Sequence, residues 1–298
     1  MNIKFEGIFT PTITPLDQKE RVDEFGFVKH LNRLLDNGVH GIYLLGTSGE
    51  FTTMTNTERQ RAMEIAVNTV NGRVPIICGV MDSSTKRVIQ NIEIAQEFKI
   101  DAVATTPPYY YPSTGSDDIV AFYKSVAQST SLPVVMYNIP LTVKTMIPPE
   151  TVLELAEQQA NIVGIKDSSG DWTNFLKLLT YLGADENFSI LLGSYTMAGA
   201  AMMFGAEGAV ISISNVDPNT SVQLYTAAKG RKIDEVHRLQ KRLLALSKLY
   251  DYGQGISGLK ACLEILNICG AHTTGPLLPL DDDAKAELRT LLAEHGLN

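Results

Sequence analysis

A few short segments of this 298-residue chain carry side chains suited to covalent and proton-transfer chemistry. The sharpest is Lys166, which closes the apolar run Ile162-Val163-Gly164-Ile165. A lysine there projects into a low-dielectric mouth. Desolvation disfavours the ammonium and leaves the neutral amine, the nucleophile that forms Schiff bases with carbonyls. The competing reading is a lysine that snorkels out of a strand end. Tyr137 holds the same relative place after Pro133-Val134-Val135-Met136. Its phenol either shuttles a proton to a substrate hydroxyl or fills the interior as an aromatic. Gly46-Thr47-Ser48-Gly49 either presents backbone N–H groups and two hydroxyls to an anion or is an ordinary strand-to-helix turn. Glu50 reads as a cap for the segment that follows. Tyr109-Tyr110-Tyr111, flanked by prolines, is odd for a solvated loop. Tyr110 either joins Tyr137 in a proton relay or belongs to an aromatic patch packed against another subunit.

Something must bring these segments together. Short β-branched runs bounded by Gly, Pro or Asn occur at Gly7–Thr10, Gly41–Leu45, Pro75–Gly79, Ala102–Thr105, Pro133–Tyr137, Ile162–Lys166, Ser189–Gly193 and Gly208–Ile211. Such runs mark strands buried on both faces. Helix-period stretches lie between them, including 24–36, 57–70, 151–158, 172–181 and 195–204. In the first, Phe25, Val28, Leu31, Leu34 and Leu35 make the apolar stripe. Eight strand-helix units in about 230 residues predict an α/β fold, a (β/α)8 TIM barrel over 1–230. A helical extension of the same unit follows over 231–298, with helices near 232–250, 256–268 and 283–295. A doubly wound sheet is the competing layout. It would normally carry a Gly-rich turn after the first strand, where this chain has Thr10-Pro11-Thr12-Ile13-Thr14-Pro15. In a barrel the active site lies at the C-terminal strand ends, where Thr47, Tyr137 and Lys166 all fall.

Composition narrows the partners. Apolar residues make up 44% of the chain and the net charge is -8, which argues for a sizeable core and against a nucleic-acid face. No stretch has the length and apolarity of a membrane span, and the start lacks a secretory signal, so a cytoplasmic location is expected. Cys78, Cys262 and Cys269 read as small core residues in a reducing compartment, the last two within one apolar helical stretch. The five histidines show no ligand spacing, so no metal is expected.

Together the segments resemble the dihydrodipicolinate synthase and N-acetylneuraminate lyase superfamily of class I Schiff-base aldolases. The likeness runs from Gly7 to about Leu280. It rests on Gly46-Thr47-Ser48-Gly49-Glu50 with Glu58-Arg59, Tyr137-Asn138-Ile139-Pro140, Gly164-Ile165-Lys166-Asp167 and Gly258-Leu259-Lys260. The resemblance implies that Lys166 forms an imine with C2 of pyruvate or another 2-oxo acid and that Tyr137 relays protons. It implies that Thr47 and Ser48 bind the 2-oxo acid carboxylate and that the Ile211 carbonyl lies near bound pyruvate. It further implies that Tyr110 reaches across a tight dimer into the neighbouring site, in a homotetramer built as a dimer of dimers. No metal or organic cofactor is implied, only the covalent Schiff base on Lys166.

Two departures bear on the substrate. The synthase branch carries an arginine five residues after the tyrosine, for the carboxylate of its aldehyde partner. Here that position is Thr142, and a neutral hydroxyl cannot supply a bidentate clamp. The sialic-acid branch carries an Asp-Glu pair after the glycine ending strand seven, where this chain has Ser194-Tyr195-Thr196. Thr142 and Ser194 are therefore expected in the distal pocket. The nearest likeness is to the branch that cleaves 2-oxo-3-deoxy sugar acids or 4-hydroxy-2-oxo acids to pyruvate and an aldehyde. The alternatives are a 4-hydroxy-tetrahydrodipicolinate synthase, a Schiff-base dehydratase of 2-oxo-3-deoxy sugar acids, and a barrel that binds a 2-oxo acid without turnover.

Overall fold

The structure is a computed structural model that describes residues 4–113 and 115–297. The first three residues and the last residue of the two expected units lie outside it, as does Thr114. Among the described residues, eight parallel strands close into a barrel in chain order. They are β1 (Gly7–Pro11), β2 (Gly41–Leu44), β3 (Ile76–Gly79), β4 (Ala102–Thr105), β5 (Val134–Asn138), β6 (Ile162–Asp167), β7 (Ser189–Leu192) and β8 (Gly208–Val210). β8 pairs back onto β1, which removes the doubly wound alternative. Every strand residue is buried except the half-buried Val163, as expected when side chains fill the inside and helices cover the outside.

The surrounding helices are α1 (Glu24–Asp36), α2 (Asn56–Val70), α3 (Thr85–Gln96), α4 (Ser116–Gln128), the short α5 (Pro140–Val143), α6 (Pro149–Gln158), α7 (Trp172–Leu182), α8 (Ala198–Met203) and α9 (Pro218–Lys229). Their starts follow local chemistry. The Asp23, Thr55, Ser84 and Asp171 side chains accept from backbone N–H groups three residues on. Then come α10 (Ile233–Leu246), α11 (Ile256–Ile265) and α12 (Asp282–Glu294). α10 packs along α9, and α11 lies against α12 and the single 3-10 turn (Ser212–Asn215) that follows β8. No helix among the described residues is long and apolar enough to cross a membrane.

Four expectations need correction. Phe25 is 79% exposed, and Phe27 and His30 take its place in the buried face of α1. A buried phenylalanine is worth roughly 1.5–3 kcal/mol more than an exposed one, so Phe27 carries that stabilisation and Phe25 does not. The helix expected over 195–204 begins only at Ala198. The Ser194 Oγ accepts from the Thr196 N–H at 3.3 Å, a local turn that competes with helix. The helix expected to run to 268 stops at Ile265, and Asn267 sits in the left-handed region at φ 58°. Cys269, read as a core residue of that apolar helical stretch, lies beyond the helix and is only half-buried, unlike Cys78 and Cys262.

One irregularity aims the site. β6 pairs with β5 through a register shift at Val134/Val135, so Val163 has no partner and Tyr137 lies level with Lys166. Gly164 makes the close approach to β7 possible, because a Cβ there would sit 2.6 Å from the Ser189 carbonyl oxygen.

Candidate active site

Lys166 is only 4% exposed. It does not snorkel out of the strand end. Its Nζ lies 4.0 Å from the centre of the Tyr137 ring and 4.3 Å from that of Tyr43 on β2. Burial pulls its ammonium below the usual lysine range, and the Tyr137 phenol partly opposes the pull. Among the described residues no carboxylate lies within ion-pair distance of it.

The strand tips around the lysine are locked. Asn138 Nδ2 donates to Asp167 Oδ1 at 2.8 Å, and Asn138 Oδ1 accepts from the Ile147 N–H at 3.0 Å. Ser169 donates to both oxygens of Asp167, from its backbone at 3.2 Å and its hydroxyl at 3.0 Å. Burial raises the Asp167 carboxyl above the usual range. These bonds fix β5 to β6 and so hold Tyr137 beside Lys166.

The Thr47-Ser48-Gly49 turn is a single turn of 3-10 helix after β2. Thr47 is exposed and Ser48 half-buried. Thr47 Oγ1 and the Tyr137 hydroxyl share a long hydrogen bond of 3.4 Å. Glu50 ends the turn with φ 59°, and it is no simple cap. Its buried carboxylate meets Lys260 of α11 through Oε1, while Oε2 accepts from the Thr274 N–H at 2.7 Å and hydroxyl at 2.8 Å. Arg59 holds the next stretch by donating from Nε to the Phe51 carbonyl at 3.0 Å. The C-terminal helices therefore brace the turn from below.

A cavity of about 310 Å³, within the range of small-molecule sites, opens above these residues. Thr47, Tyr137, Thr142 and Tyr110 line it together. Lys166 is not among the lining residues, though its Nζ lies over the ring of Tyr137, which is. Ser48, Ile211 and Ser194 do not line it either. The Ile211 carbonyl is engaged, accepting from the Ser214 N–H at 3.2 Å and hydroxyl at 2.6 Å. The Ser194 Oγ shares a 2.6 Å hydrogen bond with Thr196. Lys144 is a solvated loop residue that donates to the Leu141 carbonyl at 2.7 Å. Tyr110 is 82% exposed, with φ 81°, and its ring packs edge-on against the exposed Tyr111. Within this one chain it makes no hydrogen bond to Tyr137.

Sequence reasoning missed three contributions. Tyr43 read only as a strand residue, although a tyrosine inside an aliphatic strand raises the question of what its hydroxyl meets. Thr106 lines the cavity from the end of β4. Ile256, Pro276 and Leu277 bring the C-terminal extension into the wall, which no local signal announces. Among the described residues, no group of three or more His, Cys, Asp or Glu is placed to hold a metal ion.

The chain has clear relatives. The model of the dihydrodipicolinate synthetase family matches residues 4–295. A 4-hydroxy-tetrahydrodipicolinate synthase of Methanopyrus kandleri is 30% identical over 298 residues, covering 100% of this chain and 98% of the relative. A probable 2-dehydro-3-deoxy-D-pentonate aldolase, YjhH of Escherichia coli K12, is 30% identical over 297 residues, covering 99% and 98%. The crystal structure of YagE, a prophage protein of the same family from E. coli K12 solved with pyruvate, superposes with a TM-score of 0.93 at 27% identity, covering 99% of each chain.

Proposed function

Because the chain belongs to the dihydrodipicolinate synthetase family, whose members are lyases, we propose that it is an aldolase for 2-oxo-3-deoxy sugar acids or 4-hydroxy-2-oxo acids, joining or separating pyruvate and an aldehyde on Lys166. The observation that carries the choice of substrate is the cavity wall. Five threonines and three tyrosines line it, and neither lysine nor arginine is among its described lining residues. A second carboxylate would have no charge-assisted clamp there, whereas a hydroxylated chain would find donors and acceptors. Thr142 occupies the position where the resemblance calls for the clamp.

The residues divide the work. The neutral Lys166 amine attacks the C2 ketone, and with one added proton the pair becomes an iminium and water. Thr47 and Ser48 hold the carboxylate, which fixes C2 against the amine. Tyr137 relays the C4 hydroxyl proton as the C3–C4 bond breaks, accepting it while its own phenol proton passes through the exposed Thr47 hydroxyl to solvent. The bonding pair flows into the iminium, aldehyde leaves, and an enamine of pyruvate remains. Protonation at C3 and hydrolysis return the free amine. Tyr110 belongs to this reading as the phenol that a second copy covers, since it lines the cavity yet stands in solvent. A homotetramer built as a dimer of dimers follows from the same resemblance.

The test is product analysis with Thr142→Arg. The wild-type enzyme should release pyruvate from 2-oxo-3-deoxy acids. The variant should lose at least tenfold on those substrates and improve on a carboxylate-bearing aldehyde, since bidentate pairs contribute strongly to selection. Loss of water without pyruvate release would instead identify a dehydratase. Condensation of pyruvate with the carboxylated aldehyde by the wild-type enzyme would identify the synthase.

A further inference from the structure

The iminium carries a positive charge until the enamine forms, and among the described residues no carboxylate lies within ion-pair distance of Lys166 to balance it. Bulk solvent offers it little screening, since Lys166 is 4% exposed. What surrounds the nitrogen is aromatic. Nζ lies over the Tyr43 ring at 4.3 Å and the Tyr137 ring at 4.0 Å, and the two rings meet at 74° with centroids 6.1 Å apart. We propose that Tyr43 is the second face of an aromatic box whose function is to stabilise the cationic imine on Lys166.

Tyr43 is built into the site. Its ring packs beneath Gly46, where a Cβ would come within 2.8 Å of Cε1. The glycine that opens the carboxylate-binding turn therefore also makes room for the ring. Tyr43 is fully buried, yet among the described residues its hydroxyl has no hydrogen-bond partner. A buried orphan hydroxyl is unfavourable, so hydrogen bonding does not explain the residue. The face of the ring does. The ring quadrupole attracts a cation and not a neutral amine, so the contact favours the iminium over the free lysine from which it forms. A desolvated contact of this kind corresponds to roughly tenfold to thirtyfold in an equilibrium constant. Tyr137 supplies the other face while its hydroxyl moves protons. Tyr43 serves the charge alone.

The inference rests on imine formation at Lys166, and the experiment separates the two. Borohydride trapping of the pyruvyl adduct is measured against pyruvate concentration for the wild type, Tyr43→Leu and Tyr43→Phe. Inhibition by lactate is measured beside it, because lactate offers the same carboxylate but no ketone. Tyr43→Leu should raise half-saturation for trapping by roughly tenfold to thirtyfold while lactate inhibition stays within about twofold. Tyr43→Phe should stay within about twofold on both. Should Tyr43→Leu fail to fold, 3,4,5-trifluorophenylalanine at position 43 keeps the shape and weakens the quadrupole, and should raise half-saturation relative to Tyr43→Phe. Equal loss on pyruvate and lactate, a Phe variant as impaired as Leu, or a fluorinated ring indistinguishable from phenylalanine would each overturn the proposal. Absence of any wild-type adduct would instead remove the aldolase reading itself.

Discussion

The chain buries two lysines near one site, and it treats them in opposite ways. Lys166 ends β6 in the barrel mouth, and Lys260 sits on α11 with no exposure at all. Burial pulls both ammonium groups below the usual lysine range. Only Lys260 has a carboxylate opposing the pull. It meets Glu50 and donates to the His272 carbonyl at 2.6 Å. Lys166 has two aromatic faces and a phenol. On the proposed reading, depth alone does not make an amine reactive. A lysine whose amine is engaged by an anion and a carbonyl serves as a strut. A lysine denied an anion can give up its proton and attack a carbonyl.

The comparison breaks most sharply at Lys166. Lys166→Arg puts a permanently charged guanidinium in its place, with no amine able to form an imine. Pyruvate trapping and aldehyde release should both fall to background, while the circular dichroism spectrum stays unchanged. Retained turnover would mean the imine forms elsewhere.

The strut should fail differently. Lys260→Met leaves Glu50 buried without its counter-charge, and breaking a buried pair from one side costs about 3–5 kcal/mol. Urea unfolding should show that loss. The protein still folded should trap pyruvate on Lys166, with weakened binding because Glu50 braces the turn carrying Thr47 and Ser48. A variant of wild-type stability would make the pair dispensable.

A smaller effect concerns stability and pH. The folded Lys166 pKa lies below its unfolded value, so the folded state binds fewer protons between the two. The resulting penalty is complete below the folded pKa and disappears above the unfolded value of about 10.4. Lys166→Met should therefore be more stable than wild type at neutral pH, and the gain should shrink as pH rises towards that value. A pH-independent difference in urea midpoints would contradict a depressed amine.

Much of this site is visible in the sequence because barrels place chemistry at strand ends. Lys166, Tyr137 and Thr47 each follow a short β-branched run, so a strand reading already assigns them to one face. What was hidden is contact across the barrel. Tyr43 and Lys166 come from β2 and β6, which are not neighbours, and no local period reports that the ring faces the amine. Glu50 and Lys260 come from opposite ends of the chain, so the carboxylate read as a local cap. Phe25 was misplaced because the first turn of α1 satisfies a helical stripe, although Phe27 is the residue that packs inward. Tyr195 fell outside its expected helix through a Ser194 turn, and the apolar helical stretch read as reaching Cys269 ends before a left-handed Asn267.

The most direct measurement is borohydride reduction in the presence of excess pyruvate, followed by peptide mass spectrometry. A pyruvyl adduct on the peptide carrying Lys166, with the peptide carrying Lys260 unmodified, is the predicted result. No adduct on Lys166 in the folded protein, or modification of Lys260 in its place, would contradict the division between the reactive lysine and the strut.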